Sequence, residues 1–124
     1  MTGLTLDTGA LIALERRRQR MAQAYRTAVE NAIPVSVPSA VIVEWWRGRS
    51  DARETVLRGV RIELLDVELA RLAGEAIAAV EGATTVDAIV MASAARRGDV
   101  VYTGDFEDLH ALRKFFPDVR VLVV

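Results

Sequence analysis

Short runs of mostly apolar residues, set between longer stretches of helical periodicity, constrain this chain more than any other feature. Gly3-Leu4-Thr5-Leu6, IPVSV at 33–37, VRIELLDV at 60–67, DVVYT at 99–103 and VRVLVV at 119–124 each predict a strand. A strand with one wet face alternates polar and apolar residues; near-continuous apolar strands need cover on both faces. The segments between them read as helices. TGALIALE follows the first strand, and a second helix spans roughly Gln19 to Asn31. Pro38 suits the first position of a helix over SAVIVEWWRG that stops near Gly48. Asp51 and Glu54 have capping-box spacing for another short helix. Leu69, Leu72, Ala73, Ala76, Ile77 and Val80 then recur at helical spacing, with Gly82 as the stop. Further helices are expected from Thr84 and over FEDLHALRKFF at 106–116. Strands alternating with helices predict one α/β domain over residues 1–124, built on a covered parallel sheet.

Bulk properties exclude several classes. Half of the residues are hydrophobic, 52%, which a disordered chain cannot sustain. No window approaches the ~18 consecutive apolar residues of a membrane span, and no leader pattern suggests export. With no cysteine, neither disulfides nor thiolate metal sites are available, in keeping with a cytoplasmic protein. A net charge of −1 argues against indiscriminate polyanion binding. Yet Lys114 is the only lysine, and the arginines bunch at Arg16, Arg17, Arg18 and Arg20, and again at Arg47, Arg49, Arg53, Arg58 and Arg61. Arginine's rigid fork suits bidentate phosphate contacts; the plainer reading is a solvated helix surface. Arg16, Arg17 and Arg47 are the candidates for phosphate contact.

The acids are more informative. On a helix beginning near Thr84, Asp87 shares a face with Val90, Met91 and Ala94, while Ser93, Arg96 and Arg97 are expected to meet water. A helix-dipole role alone would not explain why Asp87 points inward. Asp7 directly follows the first strand, and Asp105 follows DVVYT by one glycine. In open α/β sheets the functional crevice lies beyond the carboxyl ends of the strands, where strand order reverses. Glu44 lies in SAVIVEWW, one of the most apolar windows in the chain. Each acid has a structural alternative. Asp7 and Asp105 can cap the helices that follow, and Glu44 can pair with Arg47 on the same face.

Four carboxylates in one crevice cannot all stay ionised unaided, because like charges and desolvation raise their pKa values. A divalent cation resolves the conflict. All-oxygen ligands select a hard ion, Mg²⁺ or Mn²⁺, and such an ion suits hydrolysis of a phosphodiester by an activated water. The arginines would then hold the polyanion, making a metal-dependent nuclease the reading that uses most of these features.

LDTGALIAL at the start, the helix carrying Glu44 followed by Trp-Trp-Arg-Gly, VDAIVMASAARRGDVVYTGD, and FEDLHAL near the end resemble PIN-domain proteins of the VapC toxin type. The resemblance spans nearly the whole chain in motif order and spacing. It implies a three-layer α/β/α fold with a five-stranded parallel sheet. It also implies an endoribonuclease dependent on Mg²⁺ or Mn²⁺, acting on RNA, homodimeric, and inhibited by a cognate antitoxin encoded beside it. Carried over residue by residue, it makes Asp7, Glu44, Asp87 and Asp105 the catalytic, metal-holding acids. Thr103 matches a hydroxyl that orients an acid or a water, and Asp108 a further acid with an easy capping explanation.

Rival readings use fewer of these residues. A phosphorylated receiver domain, also α/β and Mg²⁺-binding, needs an acidic pair after the first strand and a late lysine. Here one acid follows that strand and the lysine lies in the last helix. A catalytically silent PIN fold serving as an RNA- or protein-binding module is the other alternative, and it leaves the four acids unexplained. His110, in an amphipathic helix, reads as a surface or packing residue. Trp45 and Trp46 read as core or dimer interface ahead of base-stacking groups.

Overall fold

The strands are shorter than the apolar runs that predict them. In the computed structural model, which describes residues 2–124, they are β1 (Leu4–Leu6), β2 (Val35–Pro38), β3 (Arg61–Glu63), β4 (Val100–Thr103) and β5 (Val121–Val123). They form one sheet in the order β3-β2-β1-β4-β5, every pair parallel. From β1 the chain steps outward to β2 and β3, then returns to the other side of β1 as β4. Strand order therefore reverses between β1 and β4.

The helices follow from that path. α1 (Thr8–Glu15), α2 (Gln19–Glu30), α3 (Ser39–Trp45) and α4 (Asp51–Arg58) connect β1, β2 and β3, and α1 packs against the other three. α5 (Val67–Ala79), α6 (Thr85–Arg97) and α7 (Phe106–Ala111) serve the return, with α6 packed on α5 and α7. Right-handed crossovers place these groups on opposite faces of the sheet, which gives the three-layer α/β/α architecture. The core runs through the sheet, with Leu6, Val37 and Val101 fully buried beneath Leu11, Met21, Val41, Leu69, Val90 and Met91.

Several boundaries differ from the sequence reading, each for a local reason. Pro38 ends β2 and precedes α3 rather than opening it, and α3 stops at Trp45, where Trp46 turns extended. Ser50, not Asp51, caps α4 by accepting the Arg53 N–H at 3.1 Å. β3 covers three of the eight residues 60–67. It is an edge strand, and Asp66 accepts the Leu69 N–H at 2.8 Å, so the chain has left the sheet to begin α5. α7 ends at Ala111, followed by a 3₁₀ turn over Leu112–Lys114. β5 is the opposite edge, with Val121 buried and Val123 exposed, so helices cover it only in part.

The solvent face expected for α6 holds at Arg96, which is exposed, and is corrected at Ser93 and Arg97. Ser93 is fully buried. Arg97 reaches under the sheet to Asp99 at 2.9 Å, Thr5 at 2.7 Å, Ser93 at 2.9 Å and the Glu63 carboxylate. Arg96 pairs with Glu63 and Asp66, both at 3.1 Å. Asp66 is held below the usual carboxylate range by the Leu69 N–H and by Arg96. α6 lies between the sheet and α5, leaving little of its surface for water, so its polar side chains find protein partners.

Candidate functional site

Asp7 leaves β1 at the strand reversal and caps α1, its Oδ1 accepting the Ala10 N–H at 2.9 Å and the Gly104 N–H at 3.3 Å. Its Oδ2 accepts the Thr103 hydroxyl. Thr103 is fully buried at the end of β4, and its Oγ also accepts the Asp105 N–H at 2.8 Å. One hydroxyl thus ties the first acid to the backbone carrying the last. Burial pushes the Asp7 carboxyl above its ordinary value; Thr103 and the two amides oppose that rise, and the negative charge of Asp105 adds to it.

The two turns are locked together. A Cβ on Gly9 would lie 2.7 Å from the Gly104 Cα, and one on Gly104 would lie 3.0 Å from the Gly9 Cα. Backbone meets backbone, so only glycine fits on either side.

Asp87 is the third residue of α6, whose N-cap, Thr84, accepts the Asp87 N–H at 3.3 Å. It is half-buried, above Val90, Met91 and Ala94, all fully buried. Burial raises its carboxyl, the Thr84 hydrogen bond lowers it, and the charges of Asp108, Asp7 and Glu44 raise it further. Asp105 caps α7 and is exposed; its Oδ1 stands 3.5 Å from the Asp108 N–H, a long contact. The exposed Asp108 carboxyl is raised by a hydrogen bond to Asp105 and by that residue's charge.

Glu44 departs from expectation. Its window is apolar, yet its side chain is exposed. It does not pair with Arg47, whose guanidinium lies 3.3 Å from the Val43 carbonyl and 3.4 Å from that of Trp46. Instead its Oε1 accepts the Thr8 hydroxyl at 2.6 Å. Sequence reasoning passed over Thr8, and the signal available was its place directly after Asp7. A glycine close to each of Asp7 and Asp105 was the equivalent signal for the Gly9–Gly104 contact.

Asp7, Asp87, Asp105, Asp108 and Glu44 thus share one electrostatic neighbourhood at the carboxyl ends of β1 and β4. Among the described residues, no three Asp, Glu or His side chains are close enough to hold one ion between them. The site is therefore not a closed cage. It fits a hard ion of the Mg²⁺ kind, which ordinarily takes one or two carboxylates and completes its shell with water and substrate oxygens. Burial first, and neighbouring acids second, raise the Asp7 and Asp87 carboxyls, and a bound cation would favour their charged forms.

The arginines lie elsewhere. Arg16 and Arg17 follow the far end of α1, about 12 Å along the helix axis from its start at Thr8. Arg53 is tied to Glu15 at 3.4 Å. Trp45 is core, its indole N–H donating to Glu15 at 2.9 Å, and His110 stacks on Phe106 at the exposed surface.

Comparison with known proteins places this geometry. The fold matches a chain of the DNA-bound VapBC from Salmonella typhimurium with a TM-score of 0.75 and 17% identity, over 99% of this chain and 98% of that one. VapBC2 from Rickettsia felis, bound to a promoter DNA fragment, gives 0.76 and 12% over 98% of both chains. A toxin–antitoxin complex from Klebsiella pneumoniae gives 0.72 and 20% over 99% and 96%. No curated protein matches in sequence. The sequence profile of the PIN domain matches residues 4–114. The chain belongs to the PIN-domain family.

Proposed function

We propose that this PIN domain is the toxin of a toxin–antitoxin pair, an endoribonuclease that depends on Mg²⁺ or Mn²⁺ and acts in the cytoplasm. The observation that carries the reading is the grouping of Asp7, Glu44, Asp87, Asp105 and Asp108 at the carboxyl ends of β1 and β4, where the charges acting on the partly buried Asp7 and Asp87 come from other acids of the same crevice. Structural networks usually pair acids with bases, as Glu63, Asp66 and Asp99 do here; unpaired acids grouped at a strand reversal point to function. The fold it shares with chains of toxin–antitoxin complexes supports the toxin assignment.

Asp7, Glu44, Asp87 and Asp105 would hold the ion between them, one or two of them directly and the others through its waters, with Asp108 adding charge at the rim. The ion supplies, when bound, charge neutralisation at a phosphodiester and a lowered pKa for an attacking water. Thr103 keeps Asp7 oriented and opposes the rise that burial imposes on its carboxyl. The Gly9–Gly104 contact keeps the turns bearing Asp7 and Asp105 at one separation. Arg47, three residues after Glu44 and beyond the end of α3, is the candidate arginine for contact with an RNA phosphate.

An antitoxin tail would lay apolar side chains against α1 and α2, where Leu14, Ala22, Tyr25 and Val29 line a shallow groove, and set a basic side chain near the acids. A second copy of the chain would cover Val43, Leu64, Leu65 and Val67, which are 45–76% exposed. No helix is long and apolar enough to cross a membrane among the described residues.

The test is incubation of the purified chain with total RNA in Mn²⁺, in Mg²⁺ and in EDTA. Cleavage in either metal, none in EDTA, and relief on adding the product of the neighbouring gene is the expected pattern. Metal-independent cleavage, or binding of many RNAs without cleavage, would move the reading to a silent binding module.

A further inference from the structure

We propose that Thr8 is a positioning residue of the acidic site, holding the Glu44 carboxylate over the crevice through its hydroxyl. The inference rests on the metal-site reading above. Glu44 is exposed near the end of a seven-residue helix, and its side chain has three freely rotating bonds. Unanchored, it would spend most of its time away from the other acids. Its one side-chain hydrogen bond among the described residues comes from Thr8 Oγ at 2.6 Å, a length typical of a hydroxyl bonded to a charged carboxylate.

Thr8 is suited to that task. Asp7 already caps α1, so the Thr8 hydroxyl is not needed by the helix start. Threonine is β-branched, with few rotamers at the first helical position, so its hydroxyl points in a restricted direction. The Asp7 carboxylate turns toward β4 while the Thr8 hydroxyl turns toward α3. Two successive residues are therefore tied to opposite sides of the crevice, Thr8 to the acid Glu44, 36 positions away, and Asp7 to the hydroxyl of Thr103, 96 positions away. Groups that orient ligands from behind typically cost roughly 10–100-fold in metal affinity when removed.

The experiment titrates Mn²⁺ calorimetrically into the full chain as wild type, Thr8→Val, Thr8→Ser, Glu44→Ala and the Thr8→Val/Glu44→Ala double variant. Valine keeps the shape of threonine and removes the hydroxyl; serine keeps the hydroxyl. Thr8→Val is expected to weaken Mn²⁺ binding roughly 10-fold or more, with Thr8→Ser near wild type. In the Glu44→Ala background, Thr8→Val should cost nothing further, because its effect passes through Glu44. Melting in EDTA checks that each variant is folded, and Thr8→Ala replaces Thr8→Val if valine disturbs the helix start. Wild-type Mn²⁺ affinity in Thr8→Val, beside a loss in Asp7→Asn, would overturn this inference and leave the metal site standing. An equal loss with and without Glu44 would also overturn it. A wild-type chain that binds no Mn²⁺ would remove the metal reading and this inference together.

Discussion

Replacing Thr103 by valine removes one hydroxyl from a fully buried position without opening a cavity. The Asp7 Oδ2 loses its donor, and the Asp105 N–H loses its acceptor. A hydrogen bond to a charged group contributes about 1.5–3 kcal/mol, and an unmet donor costs about 1–3 kcal/mol when water cannot reach it. Asp105 is exposed, so water offsets most of the second term. The sum is about 2–4 kcal/mol in the metal-free protein at neutral pH. A domain of this size loses about 4 °C in Tm per kcal/mol, so Thr103→Val should melt roughly 8–16 °C below wild type in EDTA. The cost should depend on pH. The Thr103 hydroxyl lowers the Asp7 carboxyl, so without it the folded-state pKa rises further above 3.8. The deficit is fully present above that raised value and shrinks as pH falls through it toward the lower wild-type value, below which Asp7 is protonated in both proteins. Urea unfolding across pH measures both quantities. A deficit under about 1 kcal/mol, or one of equal size at acid and neutral pH, would refute a charged Asp7 held by Thr103.

Other perturbations separate site from scaffold. Gly9→Ala should raise helix propensity by about 1 kcal/mol, yet the new methyl group meets Gly104 at 2.7 Å. Overpacking at about 1–3 kcal/mol should win, and Mn²⁺ affinity should fall because the two acid-bearing turns are forced apart; a stabilised variant with intact affinity would contradict this. Glu63→Gln should cost about 2 kcal/mol, less than the ~3–5 kcal/mol of a fully buried pair because Asp99 still faces Arg97. Its Mn²⁺ affinity should be that of wild type, as read by calorimetry. In EDTA, the stability contributed by Asp7 and Asp87 is present below 3.8 and lost as pH rises through their raised values. An Asp7→Asn/Asp87→Asn variant should therefore gain on wild type toward neutral pH, and a widening deficit instead would contradict the account.

Position along the chain was the most legible property. The run Leu4-Thr5-Leu6 then Asp7, and the run VVYT then Gly104-Asp105, announce strands that end in acids, and both acids lie where strand order reverses. Asp87 was readable because one face of α6 carries it above Val90, Met91 and Ala94. Side-chain partners were harder. A helical wheel assumes one buried face, but α6 is enclosed by the sheet and α5, so Ser93 and Arg97 lie inside with Thr5, Glu63 and Asp99. Apolar windows misled where hydrophobic residues are exposed. Leu64, Leu65 and Val67 read as strand and lie outside it, and Val43, 76% exposed, made the surroundings of Glu44 look buried. Contacts such as Thr8 to Glu44 join residues far apart in sequence, and no local pattern reports them.

Thermal melting of wild type and Asp87→Asn, each with EDTA and with saturating Mn²⁺, tests the metal site most directly. Asparagine keeps the shape above Val90 and Met91 and removes one charge from a group of acids that repel one another. In EDTA the variant should melt at or above the wild-type temperature. Mn²⁺ should raise the wild-type midpoint, since a ligand that binds only the folded state stabilises it, and should raise that of the variant little. If Asp87 serves only the helix dipole, the variant loses about 0.3–1 kcal/mol and keeps the full Mn²⁺ shift. A destabilised variant in EDTA with an undiminished Mn²⁺ shift would contradict the assignment of Asp87 to a metal site.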